Sequence, residues 1–443
     1  MKSKKLLMHK FIKDLLSVML SKAGIILFSL GRAIITARWL GPELNGTITA
    51  LAVYPALFMT IGSLGVSQAT TFYIGKGTFN IESIKRGIAQ LWLFSTIFSF
   101  IVCFVLIKEF SSAGNNIILI LLATLPIPFN LFNTYNSGLF LGQNKISSYN
   151  KINWLPAFFI FIFSVLLIIV FKYSIYGALM AAVAGPLFMA SYLFLKNDFI
   201  KSFSLKIEYK VIKSLASLGV VYAISLLIIN LNYKADVVLL DKLSTPYQLG
   251  IYSKGVALIE YLWEIPMLFS TIIFARSAVS KDGEAFSKKV GHLLRLSIIA
   301  IGSISIILML LSKFIIQLLF GEAFLPSAQV LTLLLPGVLL LTIFKVLNMD
   351  LAGKGKPWVS MKAMVPALIL NLVLNFLFIP KYGANGSALS STISYAMAAL
   401  LFLYFYAKEV KVRVSDILYY SNSDFDIIKQ FIISGKQKIQ KSL

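Results

Sequence analysis

Twelve apolar stretches of about 20 residues follow one another along this 443-residue chain. Each is long enough to cross the ~30 Å hydrocarbon core of a bilayer as a helix. They run over residues 15–37, 44–66, 87–107, 117–141, 152–171, 175–195, 214–233, 249–274, 296–312, 327–349, 363–380 and 385–407. In lipid only helices and closed barrels satisfy their own backbone polar groups, and runs of this length belong to helices. The spacing predicts an all-α integral membrane protein with twelve transmembrane helices and no inserted soluble domain. Only 13% of the residues are charged, about half the soluble norm of ~25%.

Lys and Arg in the connections set the orientation. Of 41 such residues, 30 fall on segments that are inside if the N-terminus is inside, 7 fall outside and 4 lie within spans. Both termini are therefore expected in the cytoplasm. The net charge of +23 then reads as a topology signal facing anionic lipid, and no nucleic-acid partner is expected. The start, MKSKKLLMHKFIK, resembles the basic region of a signal peptide. The apolar run behind it is too long and lacks a small-residue cleavage site, so it reads as an uncleaved first helix. The loop 196–213 alternates basic and apolar residues. The tail 408–443 sets Phe425, Ile428, Phe431 and Ile432 among lysines. Both read as segments lying along the inner interface.

The two halves resemble each other. Leu40-Gly-Pro42 with Gly46 matches Leu243-Ser-Thr-Pro246 with Gly250 at an offset of 204. Gly142-Gln-Asn-Lys145 matches Gly353-Lys-Gly-Lys356 at 211, and Lys172-Tyr173 with Gly177 matches Lys381-Tyr382 with Gly386 at 209. An even number of spans per half gives both halves the same orientation. The expectation is two parallel six-helix bundles around a central cavity, as in several secondary transporters. The implied organisation is an N-terminal bundle at 1–195, a cytoplasmic linker at 196–213, a C-terminal bundle at 214–407 and a basic tail at 408–443.

Embedded charges mark where that cavity lies, because a charge facing lipid is costly. Lys22 and Arg32 lie in the first span, Lys254, Glu260 and Glu264 in the eighth, and Lys345 in the tenth. Arg32, Lys254 and Lys345 are near enough to span ends to snorkel to headgroups, whereas Lys22 is two turns in and favours a cavity. Glu260 and Glu264 share a helix face at i and i+4, near mid-span. Two carboxylates in a low-dielectric site repel, so one should hold a proton near neutral pH. They read either as an ion-coupling site or as a structural ion pair between helices. Asn130, Asn133 and Asn136 form a polar stripe in the fourth span that suits sugar hydroxyls or helix–helix glue. Asp236 and Asp241 suit helix capping or pairing with Lys234 or Lys242. Two sequons, at Asn45 and Asn385, fall on outside connections.

Other chemistry is absent. Cys103 is the single cysteine, and the two histidines, His9 and His292, lie far apart, so neither a disulfide nor a metal site is expected. No nucleotide-binding or catalytic motif occurs. The chain reads as a non-enzyme without cofactors.

Ala37-Arg-Trp-Leu-Gly-Pro-Glu43 leading to Gly46, then Gly62-Ser-Leu-Gly65, resembles the first two helices of the bacterial polysaccharide flippases. Asp236 with Leu239-Leu240, then Gly250-Ile-Tyr252, resembles the start of their second half. These flippases belong to the multidrug/oligosaccharidyl-lipid/polysaccharide exporter superfamily. The resemblance implies export by alternating access without ATP hydrolysis. The implied substrate is an oligosaccharide on an undecaprenyl pyrophosphate carrier, moved from the inner to the outer leaflet of a bacterial cytoplasmic membrane. The implied partners are membrane lipid and the polysaccharide polymerase and chain-length machinery. The family's cationic lumen matches Lys22, Arg32 and Lys254 in type. A cation-coupled multidrug antiporter of the same superfamily is the rival reading. A peptidoglycan-precursor flippase is expected to carry two further spans, and a polymerase or ligase a large outer loop.

Overall fold

A computed structural model describes residues 2–196, 199–204, 206–279, 283–356 and 358–420. Those residues are mostly helical, the rest being turns and short connections, with no strand among them. The helices are α1 Lys2–Gly62, α2 Val66–Lys76, α3 Ile81–Phe110, α4 Ile117–Thr124, α5 Pro126–Gly142, α6 Ile146–Asn150, α7 Leu155–Ser164 and α8 Ser174–Lys196. They continue as α9 Tyr209–Leu243, α10 Pro246–Val279, α11 Gly283–Phe320, α12 Ser327–Gly353, α13 Val359–Val410 and α14 Val414–Leu418. Nine helical stretches among the described residues are long and apolar enough to cross a membrane.

Several boundaries differ from the expected spans, each for a local reason. The first two expected spans form one element, α1, which turns through a corner at Gly41 with φ 73°. The last two likewise share α13, with the corner at Gly383 at φ 55°. Glycine accepts positive φ without a Cβ clash, so no loop is required. The fourth expected span is broken at Leu125 into α4 and α5. Pro126 supplies no N–H there, so the break costs one hydrogen bond fewer. The fifth loosens into a π-helical segment at Val165–Val170.

α3 shows how packing inverts in lipid. Its small residues Ser95, Ser99 and Cys103 are buried at four-residue spacing, while Phe94, Ile97, Phe98, Ile101 and Val105 are exposed. Small side chains let backbones approach, and the large apolar face is left for acyl chains.

The chain divides into two compact units. Unit 1 comprises Met1–Ala257, Lys313–Val330 and Leu372–Ala388, and unit 2 comprises Leu258–Ser312, Leu331–Asn371 and Leu389–Leu443. In unit 1 the core gathers around Phe199, which stands 5.1 Å from Phe132, 6.2 Å from Tyr135 and 6.3 Å from Trp92, ring centre to ring centre. Phe199 belongs to the linker expected to lie along the membrane interface. Its ring is instead fully buried, and Gln90 on α3 donates to the carbonyls of Ser204 and Lys206 at 2.7 and 2.9 Å. The linker is strapped to unit 1, because an aromatic ring gains more from a packed core than from the headgroup layer. The apolar tail residues Phe425, Ile428, Phe431 and Ile432 lie outside the described residues.

The repeat survives as matched backbone turns. After α5, the amides of Gln143, Asn144 and Lys145 donate to the carbonyls of Leu139, Leu141 and Phe140 at 3.0, 3.0 and 2.8 Å. After α12, at the offset of 211, those of Lys354, Gly355 and Lys356 donate to Asp350, Ala352 and Leu351 at 3.0, 3.1 and 2.9 Å. Asn144 and Gly355, the paired positions, both have positive φ, at 57° and 74°. This is the left-handed helix stop that Gly and Asn favour.

Candidate functional site

In unit 1 the site is built from a glycine contact. A Cβ on Gly46 would lie 1.8 Å from the carbonyl oxygen of Pro246, and a Cβ on Gly250 would lie 1.9 Å from that of Pro42. Only glycines permit the start of α10 to rest against the α1 corner. Lys254 follows Gly250 by one turn and shares its face. It therefore reaches back to the part of α1 before the corner. Its Nζ donates to Thr36 Oγ1 at 3.1 Å and to the Ala33 carbonyl at 3.4 Å. The ring centres of Phe320 and Phe324 stand 5.7 and 5.9 Å from it.

Lys254 is 7% exposed, so it does not snorkel. Among the described residues it has no carboxylate partner. Arg32, the residue before Ala33, is close enough for its charge to be felt at Lys254. Arg32 and Lys22 are half-buried on α1, about 15 Å apart along the helix at ~1.5 Å per residue. An ammonium here is held by one hydroxyl, one carbonyl and two ring faces. Such a group suits an anion, since charge-assisted hydrogen bonds to phosphate are about twice as strong as neutral ones.

The neighbouring groups position this site. Arg38 caps the end of α11, its Nη2 and Nε donating to the carbonyls of Leu318 and Leu319 at 2.5 and 3.1 Å. A cation there meets the unsatisfied carbonyls and the negative end of the helix. Asn45, 3% exposed, donates to both Thr36 O and Gly41 O at 2.7 Å, closing the corner. Its amide is occupied and buried in the folded chain. Asn385 donates to Gln329 Oε1 at 3.1 Å. Asp236 accepts from Tyr252, and Asp241 accepts from Ser112 Oγ at 2.5 Å and from the Ser112 amide. Asp241 thus caps a turn, while Asp236 ties α9 to α10.

The asparagine stripe divides by role. Asn133 donates to the Pro186 carbonyl at 3.1 Å, and Asn136, fully buried, donates to Phe132 within its own helix at 3.1 Å. Asn130 is half-buried.

In unit 2, Glu260 is exposed and Glu264 half-buried on α10. Lys345 on α12 lies 4.2 Å from the ring centre of Trp263 and feels the charge of both glutamates. It is stacked over an indole rather than extended to headgroups. Trp263 packs edge-on against Tyr395 at 5.8 Å. The two carboxylates and one ammonium share one neighbourhood, and the aromatic pair holds its wall. One site residue went unnoticed in the sequence: Asp350, fully buried in unit 2. It sits at the end of an apolar run, where a charge is ordinarily a solvated cap.

Residues 35–329 match the sequence model of the polysaccharide biosynthesis protein family, and residues 265–434 match that of the lipid II flippase MurJ. A Shigella flexneri protein described as an O-antigen transporter is 25% identical over 402 residues, covering 85% of this chain and 93% of that protein. The capsular polysaccharide biosynthesis protein CapF of Staphylococcus aureus is 29% identical over 219 residues, 47% of this chain and 54% of that one. Among solved structures, the inward closed conformation of lipid II flippase MurJ superposes with a TM-score of 0.74 at 15% identity, covering 94% of this chain and 95% of that chain. The inward-facing form of a multidrug resistance MATE transporter gives 0.71 at 14% identity, covering 87% and 94%. The chain belongs to the polysaccharide biosynthesis protein family, and several of the relatives and solved structures it resembles are described as transporters or flippases rather than enzymes.

Proposed function

We propose that this protein moves undecaprenyl-pyrophosphate-linked polysaccharide repeat units from the inner to the outer leaflet of a bacterial cytoplasmic membrane by alternating access. Twelve spans follow if the Gly41 and Gly383 corners each separate two crossings and α10 is counted as a crossing. The reciprocal Gly46–Gly250 contact and the matched turns after α5 and α12 support a parallel repeat. The division into bundles at 1–195 and 214–407, a linker at 196–213 and a tail at 408–443 rests on the sequence repeat, and the two compact units run across these bounds.

The observation that carries the substrate class is Lys254. Burying an ammonium without a counter-ion is costly. The cost is offset when a pyrophosphate arrives and makes the pair. Lys22 and Arg32 extend the positive path along α1, and Arg supplies the bidentate fork that phosphate favours. Asn130, Asn133 and Asn136 remain candidates for the sugar, Asn130 being the one whose amide is not already bonded to a backbone carbonyl. Glu260 and Glu264 serve ion coupling, with Lys345 neutralising one carboxylate and leaving the other for a proton or Na⁺. A polymerase and chain-length machinery would receive the product.

The match of residues 265–434 to the lipid II flippase model favours a second substrate, the peptidoglycan precursor, which shares the same lipid-linked pyrophosphate. A cationic-drug antiporter is disfavoured, since Lys254 and Arg32 repel such cargo. Complementation in two hosts separates these readings, one lacking its polysaccharide flippase and one depleted of its lipid II flippase. Rescue of surface polysaccharide, lost with Lys254→Ala, is the expected result. Rescue of neither host, with drug export instead, would sink the proposal.

A further inference from the structure

Asp350 ends α12 with a fully buried carboxylate. Four side chains donate to it, three from other helices and one from the turn after α12. Ser277 of α10 reaches Oδ1 at 2.6 Å, and Ser287 of α11 reaches Oδ2 at 2.6 Å. Tyr406 of α13 reaches Oδ2 at 2.7 Å, and Lys354 of the turn just after α12 reaches it at 2.9 Å. The ammonium of Lys354 also donates to Ser287 and, at 3.0 Å, to the Gly283 carbonyl where α11 begins. Its side chain is 18% exposed, so one edge of the cluster reaches the surface. All of these residues lie in unit 2, at the end the charge bias assigns to the cytoplasm.

The repeat shows that this charge is not needed to form the turn. At the offset of 211 Asp350 corresponds to Leu139 and Lys354 to Gln143, yet the same three backbone hydrogen bonds close both turns. Leu139 is fully buried and does the packing with no polar partner. Replacing a buried ion pair by apolar side chains is often neutral or stabilising. What a charged junction supplies, and an apolar one does not, is a low cost of opening. Separating apolar faces exposes them to water. A carboxylate, an ammonium, two serine hydroxyls and a phenol each regain hydration when they part. Closed and open forms can then lie within a few kcal/mol, the condition for a switch that ligands can bias.

We propose that Asp350 is the hub of a gate joining the ends of α10, α11, α12 and α13, one that opens to the cytoplasm and re-forms in each transport cycle. It holds the far end of the helix that carries Glu260 and Glu264, so the gate state and the coupling site are linked through α10. The inference rests on the transport reading for its export measurement, whereas the thiol measurement below does not depend on the substrate.

The wild-type chain has one cysteine, Cys103, buried in unit 1, which serves as an internal control. In Ser287→Cys, with a thiol in place of a side chain 1% exposed, inside-out vesicles are treated with a maleimide. Labelling of the new thiol at least tenfold faster than Cys103 is expected. Equal protection of both thiols while export proceeds would overturn the gate. The second variant, Asp350→Leu with Lys354→Gln, installs the residues of the first half. It is expected to insert and accumulate normally, with export reduced at least tenfold. Full export from that variant would also overturn it. If it does not accumulate, the maleimide comparison decides.

Discussion

Gly46 and Gly250 face each other's partner proline: a Cβ on the first would strike the Pro246 carbonyl oxygen at 1.8 Å, and one on the second the Pro42 carbonyl oxygen at 1.9 Å. Two segments related by an offset of 204 in sequence meet through the same pair of residues used in both directions. Such a reciprocal contact is the mark of local two-fold symmetry. Lys254, one turn beyond Gly250, is aimed at Thr36 by this contact.

Gly46→Ala and Gly250→Ala should therefore each act on both fold and transport. The obstruction is backbone, which cannot rotate aside. Overpacking of this kind costs roughly 1–3 kcal/mol. Thermal unfolding in detergent should show the loss for either variant, with export falling because Lys254 no longer meets Thr36. Wild-type stability in both would mean that the contact is not as close as described.

Asn45→Ala removes the donor that closes the α1 corner onto the Thr36 and Gly41 carbonyls. Leaving buried acceptors unmade costs about 1–3 kcal/mol. A lowered unfolding midpoint is expected for Asn45→Ala. Expression in a glycosylating host should add no glycan at Asn45, and a mass shift there would contradict its burial.

Lys254→Met keeps most of the side-chain volume and removes the charge. Stability should hold or rise, since a buried ammonium without a counter-ion is itself costly. Export of lipid-linked repeat units should nonetheless fall by at least tenfold. A stable Lys254→Met protein with full surface polysaccharide would remove Lys254 from substrate binding.

Glu260→Gln with Glu264→Gln leaves Lys345 without the carboxylates whose charge it feels. Gradient-dependent transport should be abolished in an inserted, folded protein. Adding Lys345→Met should restore stability without restoring coupling. Transport unchanged in the double Gln variant would leave these residues a structural role.

Reporter fusions after Lys108, Lys234 and Lys381 should report the outside, and fusions within 196–213 the cytoplasm. A cytoplasmic signal at any two of the first three would overturn the twelve-span topology.

Much of this protein was legible without its structure. Membrane class and helix content follow from apolar runs long enough to span a bilayer, because hydrophobic length is a local property. The matched Pro–Gly and Gly–Lys signatures marked the repeat, because turn chemistry is local too. The embedded cations Lys22, Arg32 and Lys254 were visible as charged residues out of place in apolar helices. Tertiary structure alone decided the rest. It brought Lys254 to Thr36, Phe320 and Phe324, set Lys345 over Trp263, drew Phe199 from an expected surface linker into a core, and gathered four donors on Asp350. The reason is that a helix in lipid is apolar nearly all round, so its sequence does not mark which face meets a neighbour. Periodicity says which residues share a face; only the packed chain says what stands opposite.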